Sequence, residues 1–254
     1  MKLLNFQEKG AGEAIVLLHG LLGSLDNLGM VTRGIESSLR VIAVDLPDHG
    51  QSYFSEQFSY AEYANAVLQL LDHLGIDRCH LVGHSMGGKV AMQLALNHPQ
   101  RVTKLVVADI APVAYPAHHT AIFAGLNNVD LATISNRNDA DNALAKHISE
   151  AGVRQFLLKS LQQTEQGWQW RFNLPLLQRD YALISAGIDS SQTFEQPTLF
   201  IKGTESDYIQ AEHRESIQRL FPNAKAQLMQ GCGHWLHAEK PQQFNRILLN
   251  FIHP

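Results

Sequence analysis

Gly83-His84-Ser85-Met86-Gly87-Gly88 stands between the apolar run His80 to Val82 and a segment, Met86 to about Asn97, whose spacing predicts a helix ending before Pro99. A G-x-S-x-G sequence at the junction of a strand and a helix is the pattern of a nucleophile elbow. Such a turn holds its serine in strained backbone geometry, and glycines at 83 and 87 remove the β-carbons that would collide as it tightens. Ser85 Oγ is then exposed above the end of a sheet. A serine that only caps a helix in a glycine-rich turn has the same local spelling, so the reading depends on what the rest of the chain supplies.

Outward from the elbow, short apolar runs alternate with segments of helical spacing. Ala14 to Leu18 and Leu39 to Val44 read as strands buried on both faces, with Leu25 to Leu39 as a helix between them, capped by Ser24 or Asp26. Tyr60 to Leu74 reads as a helix with Ser59 as cap and Gly75 as stop, and Lys104 to Ala108 as the strand after the elbow helix. From about Ala114 to Ser190 no buried strand is evident, but Asp139 to Ser149 and Val153 to Leu161 have helical spacing. Alternation resumes with strands at Thr198 to Ile201 and Ala226 to Met229 and helices at Gln210 to Leu220 and Gln242 to Ile252. The expectation is an α/β architecture: a mainly parallel sheet with helices on both faces (1–113 and 191–254) interrupted by a small helical cap (114–190). Ligand sites in such sheets lie at the carboxyl ends of the strands.

A serine hydroxyl is a weak nucleophile until an imidazole accepts its proton. Among 13 histidines, His234 in Gly231-Cys232-Gly233-His234-Trp235 follows the last strand, and two glycines let its loop turn back across Ser85. His237 is a rival without the glycine hinge. The next helix is expected only near Pro241. Two aspartates at strand ends lie between serine and histidine in the chain order such a triad requires, Asp109 and Asp207, and either loop can reach the imidazole. Backbone N–H groups are the expected oxyanion donors: Met86, directly after the nucleophile, and Leu21 in the run His19-Gly20-Leu21-Leu22-Gly23-Ser24.

Three segments carry a resemblance. His19 to Gly29 (HGLLGSLDNLG), Gly83 to Lys89 (GHSMGGK) and Asp109 to Tyr115 (DIAPVAY) resemble the YbfF-type esterases, a bacterial group similar to the eukaryotic ABHD-type hydrolases. The resemblance implies an α/β-hydrolase fold with a small helical cap and activity on short acyl esters or acyl-CoA thioesters. It maps the acid onto Asp109 and places Ser206 where other hydrolases carry their acid; Asp207 beside that serine is a departure. The reaction read from these residues is acyl transfer to water through an acyl-enzyme. A carbon–carbon bond hydrolase uses the same residues and is the enzymatic alternative; a non-catalytic ligand-binding module of this fold is the alternative of another class.

Composition bounds the remainder. With 254 residues, 45% hydrophobic, 17% charged and a formal charge of -4, the chain buries a sizeable core and offers no basic stripe for nucleic acid. Apolar runs are of strand length, so neither a membrane span nor a secretion signal is read, and a cytoplasmic location is expected. Cys79 and Cys232 are read as buried thiols. No metal-ligand spacing or dinucleotide fingerprint occurs, so neither a metal nor a cofactor is expected, and the partner is a small ester or thioester. Asp45 to Ser52 reads as a structural loop, and His118, His119, Tyr115 and Phe123 as candidates to line the cleft under the cap.

Overall fold

The computed structural model describes residues 2–253. The chain enters through β1 (Phe6–Lys9), β2 (Ala14–Leu18), α1 (Gly29–Ile35), β3 (Arg40–Val44), α2 (Tyr60–His73), β4 (Cys79–His84), α3 (Met86–Asn97) and β5 (Val102–Ala108). It then leaves the sheet for α4 (Thr120–Asn127), α5 (Arg137–Ala145), α6 (Ala151–Leu158), β6 (Leu161–Thr164), β7 (Gly167–Trp170), α7 (Leu174–Arg179) and α8 (Tyr181–Ser185). It returns through β8 (Thr198–Gly203), α9 (Arg214–Leu220), β9 (Ala224–Met229), α10 (Leu236–Glu239) and α11 (Pro241–Ile252). Strand order in the large sheet is β1-β3-β2-β4-β5-β8-β9. In this sheet β1 runs antiparallel to β3, and the other pairs are parallel.

Successive residues of a strand face opposite ways, and β2 shows what that does to the core. Ile15 and Leu17 pack with Val31 and Ile35 of α1 and with Phe244, Leu248 and Ile252 of α11. Val16 and Leu18 join the other cluster, with Tyr63, Val67 and Leu70 of α2 and Val90 and Leu94 of α3. Both faces of the sheet are thus dry, which is why its central strands read as unbroken apolar runs rather than alternating ones. The carboxyl ends of β2, β4, β5 and β8 converge at one edge of this sandwich, and the inserted segment lies against it.

One sequence expectation needs correction, and two elements were not read from the sequence. Leu25 to Leu39 is not one helix: Leu25–Leu28 forms a 3-10 turn, α1 follows from Gly29, and Ser38 and Leu39 fold back onto the Ile35 carbonyl to enter β3. The Leu25 N–H is spent on the Asp45 carboxylate at 2.8 Å, which ties this segment to the end of β3 instead of to a longer helix. β1 was not visible because three of its four residues are exposed on an edge strand, where no apolar signal is needed. The inserted segment also holds a β6–β7 hairpin among its helices; of its strand residues Leu161 and Trp170 are buried, while Trp168 is half-buried and the rest are polar or glycine. No helix among the described residues is long and apolar enough to cross a membrane.

Candidate active site

β4 runs straight into α3, and Ser85 between them adopts φ 53° and ψ -122°, a conformation an L-residue holds only when its surroundings impose it. Its N–H is fixed by the Ala108 carbonyl at 3.0 Å, and its own carbonyl accepts from Gly88 N–H at 2.8 Å as α3 begins. Gly87 permits this geometry: a β-carbon there would stand 2.4 Å from the His19 carbonyl oxygen and 2.5 Å from that of Leu18. Both obstacles are backbone at the end of a central strand and have no side-chain freedom with which to yield. Gly87→Ala is therefore expected to cost about 3 kcal/mol or more of stability, read as a lowered urea midpoint; an unchanged midpoint would contradict this close approach.

Ser85 O–H donates to His234 Nε2 at 2.9 Å, and His234 Nδ1–H donates to Asp109 Oδ2 at 2.7 Å. Asp109 is fully buried and, like Ser85, has a positive φ, 53°. Its position after β5 is set by its own N–H, which donates to the Ile201 carbonyl of β8 at 2.8 Å. Its other oxygen accepts from Gly203 N–H at 3.1 Å, and Ser206 Oγ–H donates to the oxygen that faces His234. The carboxylate is thus held from three sides. Asp207 is not at the imidazole: it is exposed and accepts from Gln210 Nε2 at 3.1 Å. Of the two aspartates left open by the chain order, the structure brings Asp109 to His234.

His234 arrives on a loop bent at Gly231, whose φ is 59°. A helix follows sooner than expected: α10 starts at Leu236, and buries His237 against the ring of His84 at 4.4 Å instead of presenting it to Ser85. His84 Nε2–H donates to the His234 carbonyl at 2.8 Å, so the variable position of the elbow fixes the backbone of the histidine loop. Tyr208 stacks on the imidazole at 4.0 Å between centroids. Its place is fixed by Tyr115, whose hydroxyl donates to the Tyr208 carbonyl at 2.5 Å and accepts from Ala111 N–H at 2.8 Å. Neither the His84 contact nor the Tyr208 stack was legible in the sequence, since each joins residues far apart in the chain.

The turn after β2 lies against the nucleophile: a β-carbon on Gly20 would be 3.3 Å from Ser85 Cβ. Among the described residues no acceptor takes the N–H of Leu21, and Met86, as the first residue of α3, has none within its helix. His19 and His49 hold this turn. His19 Nδ1–H donates to the Gly20 carbonyl at 2.8 Å and its Nε2 accepts from Leu46 N–H at 3.0 Å; His49 Nδ1–H donates to the Pro47 carbonyl at 2.8 Å and its Nε2 accepts from Leu22 N–H at 3.1 Å. Burial depresses both rings, to about 4 and about 3, and holds them neutral. Burial likewise drives His84 well below its ordinary value and His237 to about 3.

Two cavities end on Ser85. The larger, of about 300 Å³, runs between the sheet edge and α6, with His119, Val153, Phe156 and Trp235 in its walls beside His234. The smaller, of about 40 Å³, is walled by Met86, Lys89, Ile110, Tyr115, Ile184 and Tyr208. His119 reaches both; its Nδ1 is 2.6 Å from the Tyr181 hydroxyl, and burial lowers it to about 4. Phe123 is buried beside Tyr181, while His118 is exposed and closes on Tyr208 from outside.

Residues 13–134 match the family model of the alpha/beta hydrolase fold. Esterase YbfF of Escherichia coli K12 is 39% identical over 247 residues, 97% of this chain and 95% of that protein. The chain belongs to the YbfF-type esterases of the α/β-hydrolase superfamily. The same group extends to eukaryotes: the mouse sn-1-specific diacylglycerol lipase ABHD11 is also 39% identical, over 94% of this chain and 80% of its own. A solved marine microorganism esterase superposes with a TM-score of 0.96 at 33% identity, covering 99% of this chain and 100% of that one. Membership in this family of hydrolases agrees with the resemblance carried by the segments at His19, Gly83 and Asp109.

Proposed function

We propose that this chain hydrolyses short-chain carboxylic esters, and acyl-CoA thioesters, through an acyl-enzyme on Ser85. The observation that carries the proposal is the continuous Asp109–His234–Ser85 hydrogen-bonded chain, whose serine end opens into two cavities of very different size. Ser85 Oγ attacks the carbonyl carbon as His234 Nε2 takes its proton, and Asp109 holds the ring in the Nδ1–H tautomer. The carbonyl oxygen becomes an oxyanion facing the free N–H groups of Leu21 and Met86. Collapse breaks the bond to the leaving alcohol or thiol, which departs with the proton from His234. Water then repeats the sequence, its proton passing through His234 to Ser85 as the acid is released.

An ester bound across Ser85 places one substituent of its carbonyl in each cavity. The smaller has room for only a few heavy atoms, which supports a short acyl arm; the larger and more open one suits a bulky leaving group, as an acyl thioester of coenzyme A has. Relatives named esterase and lipase favour the ester class over carbon–carbon bond hydrolysis. Two measurements test the reading. A fluorophosphonate probe is expected to add one mass unit of probe, mapped to the peptide containing Ser85. Across p-nitrophenyl esters, kcat/KM for acetate is expected to exceed that for octanoate at least about tenfold. A profile rising toward octanoate would remove the short-chain assignment, an adduct elsewhere would remove Ser85, and no thiol release from acetyl-CoA would remove the thioester.

A further inference from the structure

Lys89 is the fourth residue after Ser85, on the first turn of α3, and its side chain is buried with 2% exposure. A lysine in such a place usually faces a carboxylate. Here none reaches it: among the described residues its ammonium enters no salt bridge, and its three protons go to three backbone carbonyls. Those acceptors are Val113 at 3.0 Å, Ser185 at 3.3 Å and Ala186 at 2.5 Å. Val113 lies where the chain leaves the sheet after β5, and Ser185 and Ala186 where it comes back after α8. One cation on the nucleophile helix therefore grips both passages between the sheet and the inserted segment.

The two passages are also joined to each other. Tyr115 N–H donates to the Ser185 carbonyl at 2.9 Å and Ile188 N–H to the Pro112 carbonyl at 3.1 Å, making a two-stranded neck. Tyr60 of α2 adds a bond from its hydroxyl to the Ile184 carbonyl at 2.6 Å. The ammonium lies 4.9 Å from the ring centroid of Tyr115 and 5.8 Å from that of Tyr60. Burial pulls its pKa down to about 7, while the three carbonyl dipoles and two aromatic faces act the other way, favouring the cation.

The same neck residues wall the small cavity on Ser85: Tyr115, Ile184 and Ser185 stand there with Tyr60 and Lys89 itself. We propose that Lys89 is a specificity-determining positioning residue, which holds the neck against the nucleophile helix and so sets the size of the acyl arm the small cavity accepts. The size-selection half rests on the acyl arm occupying that cavity. The clamp half stands on the hydrogen bonds alone. Lys89 touches no reacting atom; it acts through the neck and as part of the cavity wall beside it.

The test uses Lys89→Met and Lys89→Gln, which remove the charge while keeping much of the volume. Amide exchange in 113–116 and 184–188 is expected to accelerate at least about tenfold, with α1 and α11 unchanged, because local opening of the neck no longer breaks three bonds. The acetate-to-octanoate ratio of kcat/KM is expected to fall about tenfold, through a lower KM for octanoate. Unchanged exchange at the neck would overturn the clamp. Faster neck exchange with an unchanged KM pattern would overturn the size selection. Equal loss of kcat on every ester would mean that Lys89 supports only the elbow. Failure of both variants to fold, with Lys89→Arg folding, would make the lysine a general core requirement and overturn the proposal. A native enzyme without acyl preference defeats the short-chain reading but leaves the exchange result to decide the clamp.

Discussion

Ser85→Ala is expected to lower kcat for ester hydrolysis on the order of 10⁶-fold, and Asp109→Asn on the order of 10⁴-fold. The serine loss removes the attacking atom, and what survives comes from the oxyanion donors and substrate binding. The asparagine at 109 acts differently. It keeps the size of the side chain but presents either a neutral oxygen or an N–H to His234 Nδ1 where the 2.7 Å bond now runs to a carboxylate. An N–H there forces the proton to Nε2, the atom that must receive the Ser85 proton. Ser206 O–H and Gly203 N–H, both aimed at the carboxylate, face the same neutral group. KM is expected to change little, since Asp109 is fully buried behind the histidine and touches no cavity wall. Asp207→Asn is the control and is expected to stay within about twofold, because its carboxylate meets Gln210 at the surface. A large loss in Asp207→Asn with an active Asp109→Asn would reverse the assignment.

Acid should unfold this protein early. His19, His49, His84 and His237 are all at most 5% exposed, and burial holds all four below the ordinary histidine value, two of them at about 3. The unfolded chain takes up protons on these rings as pH falls through about 6.5, whereas the folded chain refuses them, so stability drops from that point downward. Hydrogen bonds explain the refusal. Protonating Nε2 of His19 would turn an N–H toward the N–H of Leu46, and protonating that of His49 would face the N–H of Leu22. Among the described residues, no acceptor stands at His237 Nδ1 to take a proton placed there. Each ring contributes about 1.4 kcal/mol per pH unit, so four cost at most ~6 kcal/mol at pH 5.5, against a total of ~5–15 kcal/mol for a domain. The urea midpoint is expected to fall steeply between pH 7.5 and 5.5. Equal midpoints at the two pH values would show that the rings are not excluded from protonation.

The parts of the fold that could be read from one chain were those buried on both sides. β2, β3 and β5 carry unbroken apolar runs because helices cover both faces, and the Gly83 to Gly88 turn stands where the neighbouring strand β4 meets a helix. β1 and the β6–β7 hairpin escaped notice for the converse reason. Few of their residues are buried, so pairing there is decided by backbone hydrogen bonds, which any side chain permits. The early helix α10 escaped because its apolar signal is a single turn long.

By itself the sequence determined the fold class, the strained turn that presents Ser85 and the loop that carries His234, because these depend on local patterning and on glycines at fixed offsets. Chain order left two aspartates open and the family resemblance pointed to Asp109; the tertiary structure gives the physical reason that it meets the histidine. Asp109 and Asp207 both follow strands, and the difference between them arises where β5 and β8 pair: Asp109 N–H bonds to Ile201 and Gly203 N–H returns a bond to its carboxylate, turning it inward, while Asp207 lies beyond Ser206 on the exposed side of the same loop. The grip of Lys89 on Val113 and Ala186 has the same origin. Residues 24 and 97 positions apart in the chain meet there only because the inserted segment must leave and re-enter the sheet beside one helix.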